Sequence, residues 1–373
     1  MVNRNRIIDT FIELVKIDSE SKNEEKIQKF LKRKFESLGL QVEEDDAKAK
    51  TGYGANNLLC TLQGDEQIDS IFFCCHMDTV APGVGINPQI KDDIIYSDGT
   101  TILAADDKAG IAVLIELIEL IKEQNISHGT VEFVITVGEE TGLIGAKAFD
   151  MALLTSEYGF VLDIGGPVGA IVVASPTLYM LDITIKGVTA HAGIEPEKGI
   201  SALEVASKAI ANMKLGRVDH ETTANIGYIS GGTTTNIVME KVNLHAEVRS
   251  ISTESCLAQI EHMQNLFEAA AQKMGATVEI KKTRSCTGFR LDEESQTVKL
   301  AAQSIKHIKR EPHYEITGGG SDANVFNEKG KETANLSIGY EEIHTVNEYI
   351  PISELETAAK LAYQIVNDVA KIN

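Results

Sequence analysis

"IFFCCHMDTV", Ile71 to Val80, begins as an unbroken apolar run and ends on a histidine and an aspartate two residues apart. An apolar run of that length without polar alternation is what a strand covered on both faces requires. The adjacent Cys74 and Cys75 then point to opposite faces of it. Similar runs stand at NNLLCTL (56–62), TVEFVITV (130–137) and YGFVLD (158–163). Between the second and third of these strands lies AGIAVLIELIELI (109–121), too long for a strand and apolar nearly all round, so it reads as a buried helix. Helices alternating with continuously apolar strands predict an α/β unit with a mostly parallel sheet and helices on both faces.

Outward from this centre, the first forty residues read as two helices. The second carries Ile27, Phe30, Leu31 and Phe35 on one face and Gly39 at its C-terminal cap. From about Leu178 the pattern changes. LYMLDITIKGV alternates like a half-exposed strand, and GISALEVASKAIANMK is an amphipathic helix. ANIGYI and VNLHAEVRS are strands, a long helix follows with Thr253 as its expected cap, and ATVEIKK is a strand. The order β-α-β-β-α-β is the ferredoxin-like arrangement. After Cys286 the first style returns, with a helix near 295–309, a strand at ETANLSIGY and a last helix from Ser353. The expected organisation is one α/β domain, 1–177 and 286–373, interrupted by a smaller domain at 178–285.

Composition narrows the function. The 373 residues are 43% hydrophobic, enough for two cores, and the net charge of −20 repels nucleic acid and anionic lipid. No stretch reads as a signal peptide or membrane span, so a cytoplasmic protein without nucleic-acid or membrane partners is expected. Five cysteines without CxxC spacing read as reduced core thiols. None sits beside an obvious histidine base off the strand, which disfavours a thiol enzyme based on Cys74 or Cys75.

His76 and Asp78 are not alone at a strand's end. Asp106 and Asp107 precede the buried helix, Glu139 and Glu140 follow EFVITVG, Asp163 ends YGFVL, and His344 follows NLSIGY. Any one of these is more often a turn or capping residue: Asp106 and Asp107 suit a helix N-terminus, and Glu139 and Glu140 a solvated turn. Recurrence after five strands is harder to obtain by chance. In open α/β sheets ligands bind at the carboxyl ends of strands, where these groups would converge. Two imidazoles with several carboxylates form a donor set for two neighbouring divalent ions. Such a pair acidifies a shared water and polarises an amide carbonyl, so amide hydrolysis is the natural use.

HMDTV, ADDKAG, GEETG, VLD and HTVNEY stand in the order and setting of the M20 family of two-zinc peptidases and deacylases. The chain resembles the peptidase T branch most, over nearly its whole length. The resemblance implies two Zn²⁺ ions, with Co²⁺ or Mn²⁺ as substitutes. His76, Asp106 and Asp163 would hold one, and Glu140, His344 and the shared Asp106 the other. Asp78 would orient His76 and fix its tautomer, as carboxylates beside metal-bound histidines do. Glu139 would be the general base, and the Asp106–Asp107 peptide bond would be cis. In the inserted domain, His191 (GVTAHAG) would stabilise the oxyanion, while Asn236 (GGTTTNIV) and Arg249 (AEVRS) would bind substrate. GGGSDANVF resembles the glycine-rich turn at the active-site rim, with Gly319 and Ser321 the candidate contacts; read alone, it is a helix entry capped by Ser321 or Asp322. Relatives pair through the inserted domain, so a homodimer formed there is expected. The implied activity is hydrolysis of the N-terminal peptide bond of short peptides. Alternatives are a dipeptidase, a carboxypeptidase, an N-acyl-amino-acid deacylase, or a non-catalytic relative, against which the retained Glu139 speaks. His128, His220, His245, His262, His307 and His313 match no motif and read as structural or exposed.

Overall fold

The computed structural model describes residues 1–371. It divides into two compact units, one formed by Met1–Val173, Leu291–Ile316 and the chain from Ser321 onward, the other by Ala174–Arg290 with Thr317–Gly320. The span 178–285 lies inside the second unit.

In the first unit, Ile71–His76 runs parallel to Val131–Thr136 on one side and to Tyr158–Ile164 on the other, and Glu332–Ser337 continues the parallel set beyond Tyr158–Ile164. Antiparallel strands flank these four: Leu58–Leu62 and then Gln41–Glu44 at one side, Ala170–Ser175 at the other. The central apolar run fills both faces of the sheet. Phe73 packs against Phe133 and Phe160, with ring centroids 6.3 and 5.8 Å away, while its neighbour Phe72 meets Phe326 at 5.0 Å on the opposite face. The helix Ala105–Gln124 packs on Ile71–His76 and is covered in turn by helices Arg4–Val15 and Ile352–Val369. A helix held between a sheet and two helices has no solvent side, which explains its lack of a polar stripe.

Three readings change. Ala170–Ser175 is a buried strand the sequence reading passed over, and Gln89–Lys91, Ile94–Tyr96 and Tyr349–Pro351 form a separate small sheet. The long helix Thr253–Met274 is capped by Ser252, whose side chain accepts from the Ser255 N–H at 3.2 Å. Thr253 Oγ1 is instead paired with Thr177 Oγ1 at 2.7 Å. All five cysteines are buried and unbridged. Among the described residues no helix is long and apolar enough to cross a membrane.

In the second unit, Thr222–Gly231, Lys241–Ser250, Thr177–Lys186 and Thr277–Cys286 lie side by side in that order, each antiparallel to its neighbour. With helices Ala202–Ile210 and Thr253–Met274 this is the ferredoxin-like order. The helices' Val205, Ala206, Ile260, Met263 and Phe267 share a core with every second strand residue, Leu181, Ile183 and Ile185 on one strand and Val242, Leu244 and Ala246 on the next. Ser201 caps the first of these helices by accepting the Glu204 N–H at 3.2 Å. Ser201→Ala should therefore lower stability by about 1 kcal/mol. A shifted denaturant midpoint at unchanged cooperativity would register it, and no shift would mean the cap is replaced by water.

Candidate metal centre

Parallel strands deliver their carboxyl ends to one edge, and the chain places an acidic residue or histidine at three of the four. His76 closes its strand, Glu139 and Glu140 follow Val131–Thr136 across the Gly138 turn, and Asp163 lies near the end of Tyr158–Ile164. Gly138 has φ 59° and its Cα approaches the Tyr53 ring so closely that a Cβ would stand 2.4 Å from it, so only glycine turns the chain here.

Asp163 is aimed by a bulge. The register against Glu332–Ser337 slips between Asn335 and Ser337, leaving one extra residue on the Asp163 strand. The Asn335 side chain spans the irregularity, accepting the Asp163 N–H at 3.0 Å and donating to the Asp163 carbonyl at 2.9 Å. Tyr340 Oη donates to Asp163 Oδ1 at 3.0 Å. Both residues escaped the sequence reading, because their partners lie more than 170 positions away and their own surroundings read as plain strand.

Asp106 is the hub. Its Oδ1 lies 3.0 Å from His76 Nε2 and its Oδ2 lies 3.2 Å from His344 Nε2, so each carboxylate oxygen faces a different imidazole. Glu140 Oε1 is 3.0 Å from His344 Nε2, and Asp163 Oδ1 is 3.7 Å from His76 Nε2. The Asp106–Asp107 peptide bond is cis. Asp107, beside Asp163 and His76, has both oxygens turned to the main chain, accepting the N–H groups of His76 (3.1 Å) and Gly110 (3.2 Å). Among the described residues, two groupings suit a metal ion by mutual proximity: His76, Asp106 and Glu140, and His76, Asp107 and Asp163.

Asp78 meets His76 through its main chain and its side chain. The shortest contact of His76 Nδ1 is with the Asp78 carbonyl oxygen, 2.9 Å, against 3.5 Å to the carboxylate. The main chain thus fixes the ring, with Nδ1 as donor and Nε2 turned toward Asp106 and Asp163. The fully buried Asp78 carboxylate also accepts the N–H groups of Glu139 (2.9 Å) and Glu140 (3.3 Å) and the Ser21 hydroxyl (2.7 Å). It ties the acidic pair to the histidine strand.

The electrostatics are those of a crowded anionic set. Burial and the neighbouring Asp106 push Asp163 up to about 7. Burial likewise raises Glu140, against the pull of His344, and holds Glu139 well above the usual carboxylate range. Burial works against the charge on Asp106, yet His344 and His76 bring it below that range. Asp106 and Glu140 raise His344 to about 10. Oxygen and imidazole donors that compete for the same protons in so small a space match the preferences of borderline divalent cations such as zinc.

Of the remaining candidates, His191, Asn236, Arg249 and Gly319 belong to the second unit and Ser321 to the first. His191 and Asn236 lie on paired loops: His191 bridges Ile237, and the Ala192 N–H donates to the Asn236 carbonyl at 2.9 Å. Both side chains are exposed. Arg249 donates from Nε and Nη2 to the two oxygens of Glu247, each at 3.0 Å, and from Nη1 to the Gly318 carbonyl at 2.8 Å. Gly319 offers its carbonyl to Ser175 Oγ at 2.8 Å. Ser321, in the first unit, closes a capping box with Asn324 at the entry to the helix Asp322–Glu328, its N–H donating to Asn324 Oδ1 at 3.0 Å. His307 and His245, which matched no motif, pair with Asp368 (2.8 Å) and Asp182 (2.7 Å).

The family model described as peptidase family M20/M25/M40 matches residues 72–368. A Bacillus subtilis (strain 168) protein, YqjE, is 52% identical over 371 residues, covering 100% of both chains. The crystal structure of aminopeptidase PepT from Bacillus cereus superimposes with a TM-score of 0.95 at 51% identity over 99% of each chain. That of a tripeptidase from Staphylococcus aureus gives 0.97 at 46% identity over 100% of each.

Proposed function

The chain belongs to peptidase family M20/M25/M40, on its peptidase T-like side, and from that premise we propose a cytoplasmic aminopeptidase that removes the N-terminal residue of short peptides, tripeptides foremost. The observation that carries the metal-dependent part is Asp106, a single carboxylate with each oxygen turned to a separate imidazole. His76, Asp106 and Asp163 would hold one zinc ion, and Asp106, Glu140 and His344 the second. Bound there, the pair supplies Lewis acidity, lowering the pKa of water and polarising the scissile carbonyl.

The chain's own groups do the rest. Glu139 takes a proton from the attacking water and returns it to the departing amine, so no net charge is left on the enzyme. Its main chain is fixed by Asp78, and burial favours its protonated form once the proton has arrived. His191 is the candidate donor to the oxyanion. Arg249 spends three of the five guanidinium N–H groups on Glu247 and Gly318, leaving two for a peptide's terminal carboxylate. The buried, unbridged cysteines support a reducing compartment. Exposed Tyr228 and Ile229 on the strand Thr222–Gly231 support pairing of two chains through the second unit.

The deciding experiment is a hydrolysis panel of di-, tri- and tetrapeptides with free, N-acetylated and C-amidated ends, on metal-replete protein. Tripeptides with a free amino terminus should be cut fastest. If N-acetyl amino acids are best, the enzyme is a deacylase. A charge-assisted contact contributes about 1.5–3 kcal/mol, so Arg249→Ala should raise KM for free-carboxylate tripeptides by about 10- to 100-fold. The variant should also lose the wild-type sensitivity to C-terminal amidation. Equal sensitivity in both proteins would remove Arg249 from this role.

A further inference from the structure

A carboxylate outside the metal-binding set holds the shared aspartate from behind. Glu348 is 1% exposed. Its Oε2 accepts the N–H groups of Leu103 (2.7 Å) and Ala104 (2.8 Å), and its Oε1 accepts that of Asp106 (3.1 Å). Ala104 lies in the left-handed region at φ 62°, so the turn into Asp106 departs from helical geometry. N–H groups at a helix start have no carbonyl of the helix to meet, and a buried one must find another acceptor. Glu348 supplies three of them with one.

The same loop carries His344, whose Nε2 is 3.2 Å from Asp106 Oδ2. Asp106 is thereby held at both ends, its side chain by His344 and its main chain by Glu348. The loop is itself anchored. Glu341 and Tyr349 exchange main-chain hydrogen bonds of 2.9 and 3.2 Å, Tyr349–Pro351 pairs with Ile94–Tyr96, and the Ser97 N–H donates to the Glu348 carbonyl at 3.0 Å.

We propose that Glu348 is a positioning residue for the reaction: it sets the main chain of Leu103–Asp106 so that the Asp106 carboxylate lies between His76 and His344 and can serve two cations at once. The inference rests on the two-cation reading above. A glutamine at 348 keeps the size but has one acceptor oxygen, and its NH₂ would confront at least one of the three N–H donors. An aspartate keeps both oxygens but, one methylene shorter, cannot reach all three donors.

The test is zinc titration by calorimetry, with chelator competition, of metal-stripped wild type, Glu348→Gln, Glu348→Asp and Glu132→Gln. Glu132 is a control buried carboxylate on the strand Val131–Thr136, accepting the N–H groups of Thr155 (3.0 Å) and Ser156 (2.7 Å). Wild type should take two equivalents. Glu348→Gln should bind the second about 10- to 100-fold more weakly, as loss of a group that orients metal ligands typically does. Its kcat should fall with KM little changed, and Glu348→Asp should lie between it and wild type. Glu132→Gln should melt earlier yet keep wild-type zinc affinity. Undiminished second-site affinity in either Glu348 variant overturns the proposal, and so does an equal loss in Glu132→Gln, which would make the effect general loosening. A wild type that takes fewer than two equivalents overturns the two-cation reading itself.

Discussion

Glu139→Gln should keep its metal and lose turnover by about 10² to 10⁴, the contribution of a positioned general base. Glutamine nearly matches glutamate in shape, and the N–H that Asp78 holds at 2.9 Å belongs to the main chain, so the substitution leaves the local fold intact. What disappears is the ability to take a proton and hand it on. The neighbouring Glu140→Gln should behave oppositely, because Glu140 Oε1 is the oxygen that meets His344 at 3.0 Å. Metal analysis of the two variants therefore separates the roles: zinc retained with activity gone in the first, zinc weakened in the second. The reverse result would exchange base and ligand, and near wild-type kcat in Glu139→Gln would remove the general base altogether.

Why the two glutamates could be read from sequence but their support could not follows from the length scale of each signal. His76, Glu139, Glu140 and Asp163 are visible because apolar parallel strands are long local patterns and their carboxyl ends gather on one edge. The partner of the Asp78 carboxylate is a different matter. A histidine two residues away is the natural guess, yet the side chain reaches over 60 positions to Glu139 and Glu140, and the nearer carbonyl takes the histidine. Asn335, Tyr340 and Glu348 act through main-chain and side-chain partners at similar or greater range. The strands Gln89–Lys91, Ile94–Tyr96 and Tyr349–Pro351, three residues each, are too short to show a period. The Arg249–Glu247 pair, by contrast, was legible and passed over: residues two apart on a strand share a face, so a bidentate ion pair was available from spacing alone.

Asp106→Asn should be the most damaging single change at the metal centre, lowering kcat/KM by at least about 10³. Lewis-acid assistance supplies several kcal/mol, and about 1.4 kcal/mol is a factor of ten. The asparagine has one oxygen and one NH₂ in place of two equivalent oxygens. It can face either His76 or His344 with an acceptor, but not both, so the shared position between the two proposed ions is lost whichever way the amide turns. Asp163→Asn and His344→Ala each touch one of the two sets and should weaken one equivalent of zinc, leaving the other near its wild-type affinity. If Asp106 is shared, Asp106→Asn must weaken both equivalents, and zinc titrations of the three variants show this directly. An Asp106→Asn protein that still takes two equivalents with wild-type affinity would place the shared contact elsewhere. Asp107, which is grouped there with His76 and Asp163, would then have to release the N–H groups of His76 and Gly110 to take over.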